Sequence, residues 1–216
     1  ELVNYYGSHD TSNKMRKQIV WKKNTKEAVW TEIVSEKIRK QKELLEIFGK
    51  EESKVLSSYL EKIEWGDKTN REGHAAKVYF NALFGQDFTR TEDNCINAAL
   101  NYGYSIVLSA FTREITVNGY LTQLGIFHDN MFNQFNLASD FMEPFRVLVD
   151  KKVCKMELLE FEHSEKMQLV DILNQEVQID GRIQYVNNAI KIYCKSVLEA
   201  LNEDDSSLIR FYKIEL

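Results

Sequence analysis

A single proline, Pro144, stands in a chain of 216 residues, and the nine glycines never cluster. Sheet-rich folds need turn residues at short intervals, so this scarcity favours long helices. The scatter of glycines also excludes a phosphate-cradling glycine loop. Three cysteines, Cys95, Cys154 and Cys194, are odd in number and share no metal-type spacing, so they read as buried reduced thiols of a cytoplasmic protein. No apolar run approaches the roughly 18 residues of a membrane span, so no membrane association is expected. The residues given carry no signal-peptide pattern. His-Glu-x-x-His, Gly-x-Ser-x-Gly, zinc-finger and basic-zipper patterns are absent, as are internal repeats. The first residue is Glu1 rather than methionine, and the apolar-aromatic opening Leu2 to Tyr6 suggests a missing N-terminal segment.

What is present is an ordinary globular composition, with 44% hydrophobic and 28% charged residues. The length allows a sizeable buried core. Net charge is -5, which argues weakly against a nucleic-acid partner, but the charge is unevenly spread. Residues 14–42 hold ten basic and three acidic side chains and sum to +7, leaving -12 on the rest. Such a segment, which includes Lys22 and Lys23, is either a phosphate-binding surface or a solvated helix face.

Hydrophobic periodicity predicts helices over 26–48, 52–64, 70–84, 92–117, 137–156, 164–175 and 185–201. Asn70 is placed to cap the third, and Gly103 inside the fourth permits another helix to approach closely. Residues 118–136 form a polar, glycine-containing connector. The alternation Val177-Gln178-Ile179-Asp180-Gly181-Arg182-Ile183 predicts a small hairpin, and 208–214 an extra strand. The expected fold is therefore mainly α, with a small C-terminal β-hairpin.

Three places could carry chemistry. Glu72 lies three and four residues before Ala75 and Ala76, on the stripe that faces the core, where a carboxylate either meets a cation or decorates the first turn. His74 is rotated by about 200° from it and cannot share a ligand with it. Asp140 and Glu143 share one side of their helix beside Pro144, which should kink it. Arg146, three residues after Glu143, either pairs with that acid or reaches a phosphate. His128 ends the apolar stretch Leu124 to Phe127, as a hydrogen-bonded core residue or a ligand. No spacing among these residues is diagnostic of a metal site.

Ordered blocks supply more. Asn70-Arg71-Glu72-Gly73-His74-Ala75-Ala76 is followed by Tyr79-Phe80 and Leu83-Phe84-Gly85, then by Ile96 to Tyr104. Leu124-Gly125-Ile126-Phe127-His128 and Ala138-Ser139-Asp140-Phe141-Met142-Glu143-Pro144-Phe145-Arg146 come next. In this order the blocks resemble the CRISPR-associated spacer integrases, the first of the adaptation proteins, in their type II branch. The resemblance implies that Glu72, His128 and Glu143 are catalytic and bind Mg2+ or Mn2+, with Asp140 close behind them. It implies that Arg146, Lys22 and Lys23 contact DNA. The implied reaction joins prespacer 3′-hydroxyl ends to the repeat of a CRISPR array. Implied partners are those DNAs, a small dimeric second adaptation protein, and a second copy of the complete protein. Tyr6 to Asp10 fits the exit from the family's N-terminal β-domain, so residues 1–12 are expected to end an interdomain linker and 13–216 to form the helical catalytic domain. Val147 departs from a proline common in the family. The competing readings are a non-catalytic helical DNA-binding or interaction module and a nuclease for branched DNA.

Overall fold

A computed structural model describes residues 10–156 and 158–214. The opening block Tyr6 to His9 thus lies outside the described residues. Nine α-helices and one two-stranded hairpin are found among the described residues. Helix α1 spans Thr11–Ile19, an element the periodicity does not show, and α2 spans Lys23–Ile47. Next come α3 (Ser53–Leu60), α4 (Arg71–Phe84) and α5 (Cys95–Val117). The expected helix over 137–156 is divided into α6 (Asn136–Phe141), a single 3-10 turn over Glu143–Phe145, and α7 (Arg146–Lys155). After α8 (His163–Val170), strands β1 (Glu176–Ile179) and β2 (Arg182–Tyr185) lead into α9 (Val186–Glu203).

Helix α2 is the hub, and it packs against α3, α4, α6, α7 and α9. It can do so because it is apolar on more than one side: Val29, Trp30, Ile33, Val34, Ile38, Leu44 and Leu45 are all buried. Each such side chain contributes about 1.5–3 kcal/mol of burial. The same helix also buries Glu36, Lys37, Lys40 and Gln41. Lys37 and Lys40 are therefore neither solvated nor open to a phosphate, whereas Arg16, Lys17, Lys22 and Lys23 at the start of the basic run are exposed. Lys40 pairs with Glu36 and Glu43, Arg39 with Glu36, Lys42 with Glu46, and Lys22 with Asp204.

Helix α5 lies against α6, α7, α8 and α9. Gly103 makes the contact with α7 possible, since a Cβ there would stand 2.4 Å from Cγ1 of Val149. The hairpin matches its sequence pattern, pairing Val177 with Gln184 and Ile179 with Arg182. Asp180 and Gly181 both have positive φ (53° and 71°), as a two-residue turn of this hand requires. The strand expected over 208–214 is reduced to one bridge, Gln178 to Lys213. The chain there is held by Tyr212, which is buried in the core and donates to the carbonyl of Pro144 at 2.9 Å. Helix α3 stops at Leu60, short of the expected 64, and α5 starts at Cys95 rather than 92 because Asn94 caps it. All three cysteines are free thiols, but only Cys194 is buried; Cys95 and Cys154 are half-buried, against expectation.

Candidate active site

The first turn of α4 is fixed by two caps. The Asn70 side chain accepts from the Gly73 amide at 3.2 Å, as its sequence position implies. Asp67 accepts from the amides of Arg71 (2.8 Å) and Glu72 (3.0 Å). Four amides at a helix start have no helical partner, so these caps stabilise the turn and hold Glu72 at a defined place. His74, on the other side, is exposed and lies beside Tyr59.

Proline placement fixes Glu143. Pro144 cannot continue the i to i-4 ladder, and the chain answers with the 3-10 turn between α6 and α7. Glu143 sits in that turn with only 4% exposure. Its Oε1 accepts from Nε of Arg146 at 2.9 Å, and its Oε2 from Nζ of Lys37 at 2.5 Å. Burial alone would raise its pKa, but Arg146 and Lys37 outweigh that and bring it down to about 2. The Arg146 pair is thus a cleft interaction rather than a surface salt bridge.

Lys37 also pairs with Oε1 of Glu72. Glu72 and Glu143, from helices far apart in sequence, thus meet on one ammonium. Burial works to lower the Lys37 pKa, yet the Glu143 and Glu72 carboxylates hold it above the usual lysine value. These groups line a cleft of about 220 Å³ together with Gln41, Arg90, Tyr104 and Asp150. The Arg146 guanidinium lies 4.7 Å from the centre of the Tyr104 ring, and that of Arg90 lies 5.4 Å from it. Asp150 accepts from the hydroxyls of Tyr104 (2.5 Å) and Tyr79 (2.9 Å). Its burial outweighs those bonds and pushes its pKa up to about 6.

His128 stands beside this cleft rather than in its lining. Asp140, with no exposed surface, organises the approach to it. One carboxylate oxygen accepts from the amides of Ile126 (2.7 Å) and Phe127 (3.1 Å). The other takes the His128 amide (3.1 Å) and contacts its ring Nδ1 at 2.6 Å. Gly125 leaves the space for this loop, because a Cβ there would lie 2.8 Å from Asp140 Oδ2. Trp30 of α2 stacks on Phe127 with ring centres 4.2 Å apart. The hydrogen bond that the ring makes to Asp140 raises the His128 pKa, and the more distant Glu143 and Glu72 charges add to it. With Nδ1 engaged, Nε2 is the ring nitrogen left for another ligand.

Among the described residues, no three His, Cys, Asp or Glu side chains are already gathered as a metal-binding set. The two glutamates converge and the histidine is close enough to feel both, but Lys37 stands between the carboxylates. Lys22 and Lys23 are elsewhere, some 21 Å back along α2 from Lys37 at 1.5 Å per residue. Lys22 is tied to Asp204, and Lys23 is exposed with Glu27 at 3.8 Å. Sequence reasoning missed Lys37, Gln41, Arg90, Tyr104 and Asp150 as parts of the cleft. A signal was there for the first two: Trp30, Ile33, Lys37, Gln41 and Leu44 recur at helical spacing, which puts two polar side chains in an apolar stripe.

The family model described as CRISPR associated protein Cas1 matches residues 2–165. The chain belongs to the Cas1 family. A CRISPR-associated endonuclease Cas1 of Neisseria meningitidis is 43% identical over 129 residues, covering 59% of this chain and 42% of that protein. One from Francisella tularensis subsp. novicida is 26% identical over 194 residues, covering 77% of this chain and 60% of that protein. The chain therefore spans about half the length of these Cas1 relatives. Its fold is shared with a casposase bound to integration product, with a TM-score of 0.76 at 19% identity over 91% of this chain and 72% of that one. It is also shared with a chain of a partial Cas6-RT-Cas1–Cas2 complex, with a TM-score of 0.77 at 17% identity over 97% and 76%.

Proposed function

We propose that this chain is the helical catalytic part of a metal-dependent DNA integrase of CRISPR adaptation, of the type II branch, which joins prespacer 3′-hydroxyl ends to the repeat of a CRISPR array. The observation that carries this reading is the meeting of Glu72 and Glu143 on one cationic nitrogen, with His128 alongside. Two carboxylates are hard donors suited to Mg2+ or Mn2+, an imidazole is a borderline donor that can complete the set, and an ammonium bridging the carboxylates is a stand-in for such a cation. Glu72, Glu143 and Nε2 of His128 would hold the metal. When bound, it would supply stabilisation of the charge that develops on the phosphoryl oxygens.

The chain's own side chains do the positioning. Asp140 holds the His128 ring through Nδ1 and fixes its loop through three amides. Arg146 steadies Glu143 and, resting on Tyr104, lines the cleft where a phosphate would enter. In the reaction the 3′-hydroxyl oxygen forms a new bond to phosphorus while the bond to the departing 3′-oxygen breaks, so phosphodiesters are exchanged rather than lost. In this reading Lys22 and Lys23 contact DNA outside the cleft. In the same reading the complete protein works in the cytoplasm as a homodimer with a small dimeric second adaptation protein.

Strand transfer by the complete protein and its partner tests the reading. Glu72→Ala is expected to lower joining by about 100-fold or more, the usual scale for losing a group that stabilises transition-state charge. Unchanged joining would remove Glu72 from the site. Cleavage of branched DNA with no joined product would instead indicate a nuclease. The ion pairs of Glu72 and Glu143 with Lys37 favour one other reading, a non-catalytic helical DNA-binding or interaction module. Calorimetric titration of Mn2+ into this chain separates the two, since the module would show no Glu72-dependent binding.

A further inference from the structure

Lys37 and Gln41 are one helical turn apart on α2 and both line the cleft. Lys37 spends its ammonium on Glu72 and on Oε2 of Glu143. Gln41 is only 2% exposed, and its Oε1 is buried with no hydrogen-bond partner. Buried carbonyl oxygens are nearly always satisfied, so an open acceptor beside a charged cleft is a place prepared for a donor. A divalent cation cannot share the lone pairs that the ammonium already holds, and the two positive charges repel each other. Any cation that enters between Glu72 and Glu143 must therefore displace Lys37. An acceptor in reach of a four-carbon lysine stem is available at Gln41.

We propose that Lys37 is an internal counter-ion with two positions: it bridges Glu72 and Glu143 when no metal is bound, and it moves to Oε1 of Gln41 when a divalent cation takes its place. This rests on the metal reading of Glu72 and Glu143 given above. The arrangement has a physical use. Two carboxylates brought together without a cation repel each other, and one of them, Glu143, is almost fully buried. Lys37 removes that repulsion in the metal-free protein and keeps both oxygens near their working positions. Arg146 can stay in place during the exchange, because it holds Oε1 of Glu143 while Lys37 holds Oε2. After the exchange the ammonium is still in the cleft, with its charge directed away from the carboxylates. Lys37 is thus a positioning residue that competes with the metal.

The test is Mn2+ affinity of this chain by calorimetry, in a two-by-two set of variants. Lys37→Met is expected to bind Mn2+ about ten-fold tighter, equivalent to roughly 1.4 kcal/mol of competition removed. Gln41→Leu is expected to bind it several-fold more weakly, because the displaced ammonium loses its acceptor. In the Lys37→Met background, Gln41→Leu should have no further effect, which is the coupling that a merely structural role would not produce. Unchanged or weaker binding by Lys37→Met overturns the proposal, as does additivity of the two substitutions. A measurement on the unaltered chain guards against variants that do not fold. The hydrogen-bonded lysine ammonium, followed by nitrogen-15 NMR, should shift on addition of Mg2+, and in Gln41→Leu that shift should need several-fold more Mg2+ and end at a different position. A Lys37 signal that ignores saturating Mg2+ also overturns it. If the unaltered chain binds no Mn2+, or binds it equally well as Glu72→Gln, it is the metal reading itself that fails.

Discussion

Asp140 and Asp150 are both buried carboxylates, and they differ in the donors that surround them. Asp140 accepts three amides and one imidazole nitrogen, so its charge is compensated by donors. Asp140→Asn replaces one acceptor oxygen by an NH2 that faces donors. We expect a loss of about 2–4 kcal/mol in unfolding free energy, on the scale of charge-assisted hydrogen bonds. The His128 pKa, read by NMR titration, should fall, because the Asp140 bond is the largest influence raising it. An unmoved titration would show that the ring is held by something else. Asp150 has two hydroxyl donors, but its burial outweighs them and its pKa rises to about 6. It binds its proton more tightly folded than unfolded, so it favours folding most at acid pH, and that contribution is lost as pH rises from about 4 to 6. The expected loss is at most about 3 kcal/mol. Glu143 runs the other way: with its folded pKa near 2, its contribution is present above about 4.5 and disappears as pH falls toward 2. Asp150→Asn should flatten the stability profile between pH 4 and 6 without touching the lower limb, which denaturant melts across pH would show.

At the scale of elements, the close pairing of α5 with α7 controls where Arg146 and Asp150 project. Gly103 is the contact point, with Val149 opposite. Gly103→Ala gains about 1 kcal/mol of helix propensity but overpacks the interface by about 1–3 kcal/mol. The net expectation is a lower melting temperature, partly restored by adding Val149→Ala. A stabilised Gly103→Ala would mean the helices are not in contact there. The 3-10 turn at Pro144 matters for the same reason. It turns Glu143 toward α2, and Tyr212 from the C-terminal segment donates to the carbonyl of Pro144.

For the whole molecule, part of the uneven charge of the sequence is answered by ion pairs within the fold. Acids from α2 itself and from the end of α9 pair with the basic run. Lys23 is among the cations left exposed, whereas Lys22 would have to leave Asp204 to reach a phosphate. If Lys23 meets DNA, Lys23→Ala should make the dependence of binding on salt shallower by about 0.9 in log–log slope. An unchanged slope would place the DNA elsewhere. Among the described residues no helix is long and apolar enough to cross a membrane, in line with the absence of long apolar runs.

Periodicity, capping residues and the lone proline were enough to determine a mainly helical chain with an Asp-Gly hairpin, because those features act within a few residues. Asn70 as a cap, the break at Pro144 and the close approach at Gly103 were legible for that reason. The ordered family blocks singled out Glu72, His128, Asp140 and Glu143, though their spacing in sequence carried no geometry. Only the tertiary structure could decide what these side chains face. It placed Lys37 between two of them, set Asp140 behind His128, and buried Asp150 against two tyrosines. Such pairings join helices far apart along the chain, and they follow from how α2 and α5 pack. Local pattern has no access to that, since a lysine in a basic run looks solvated until the partner that buries it is known.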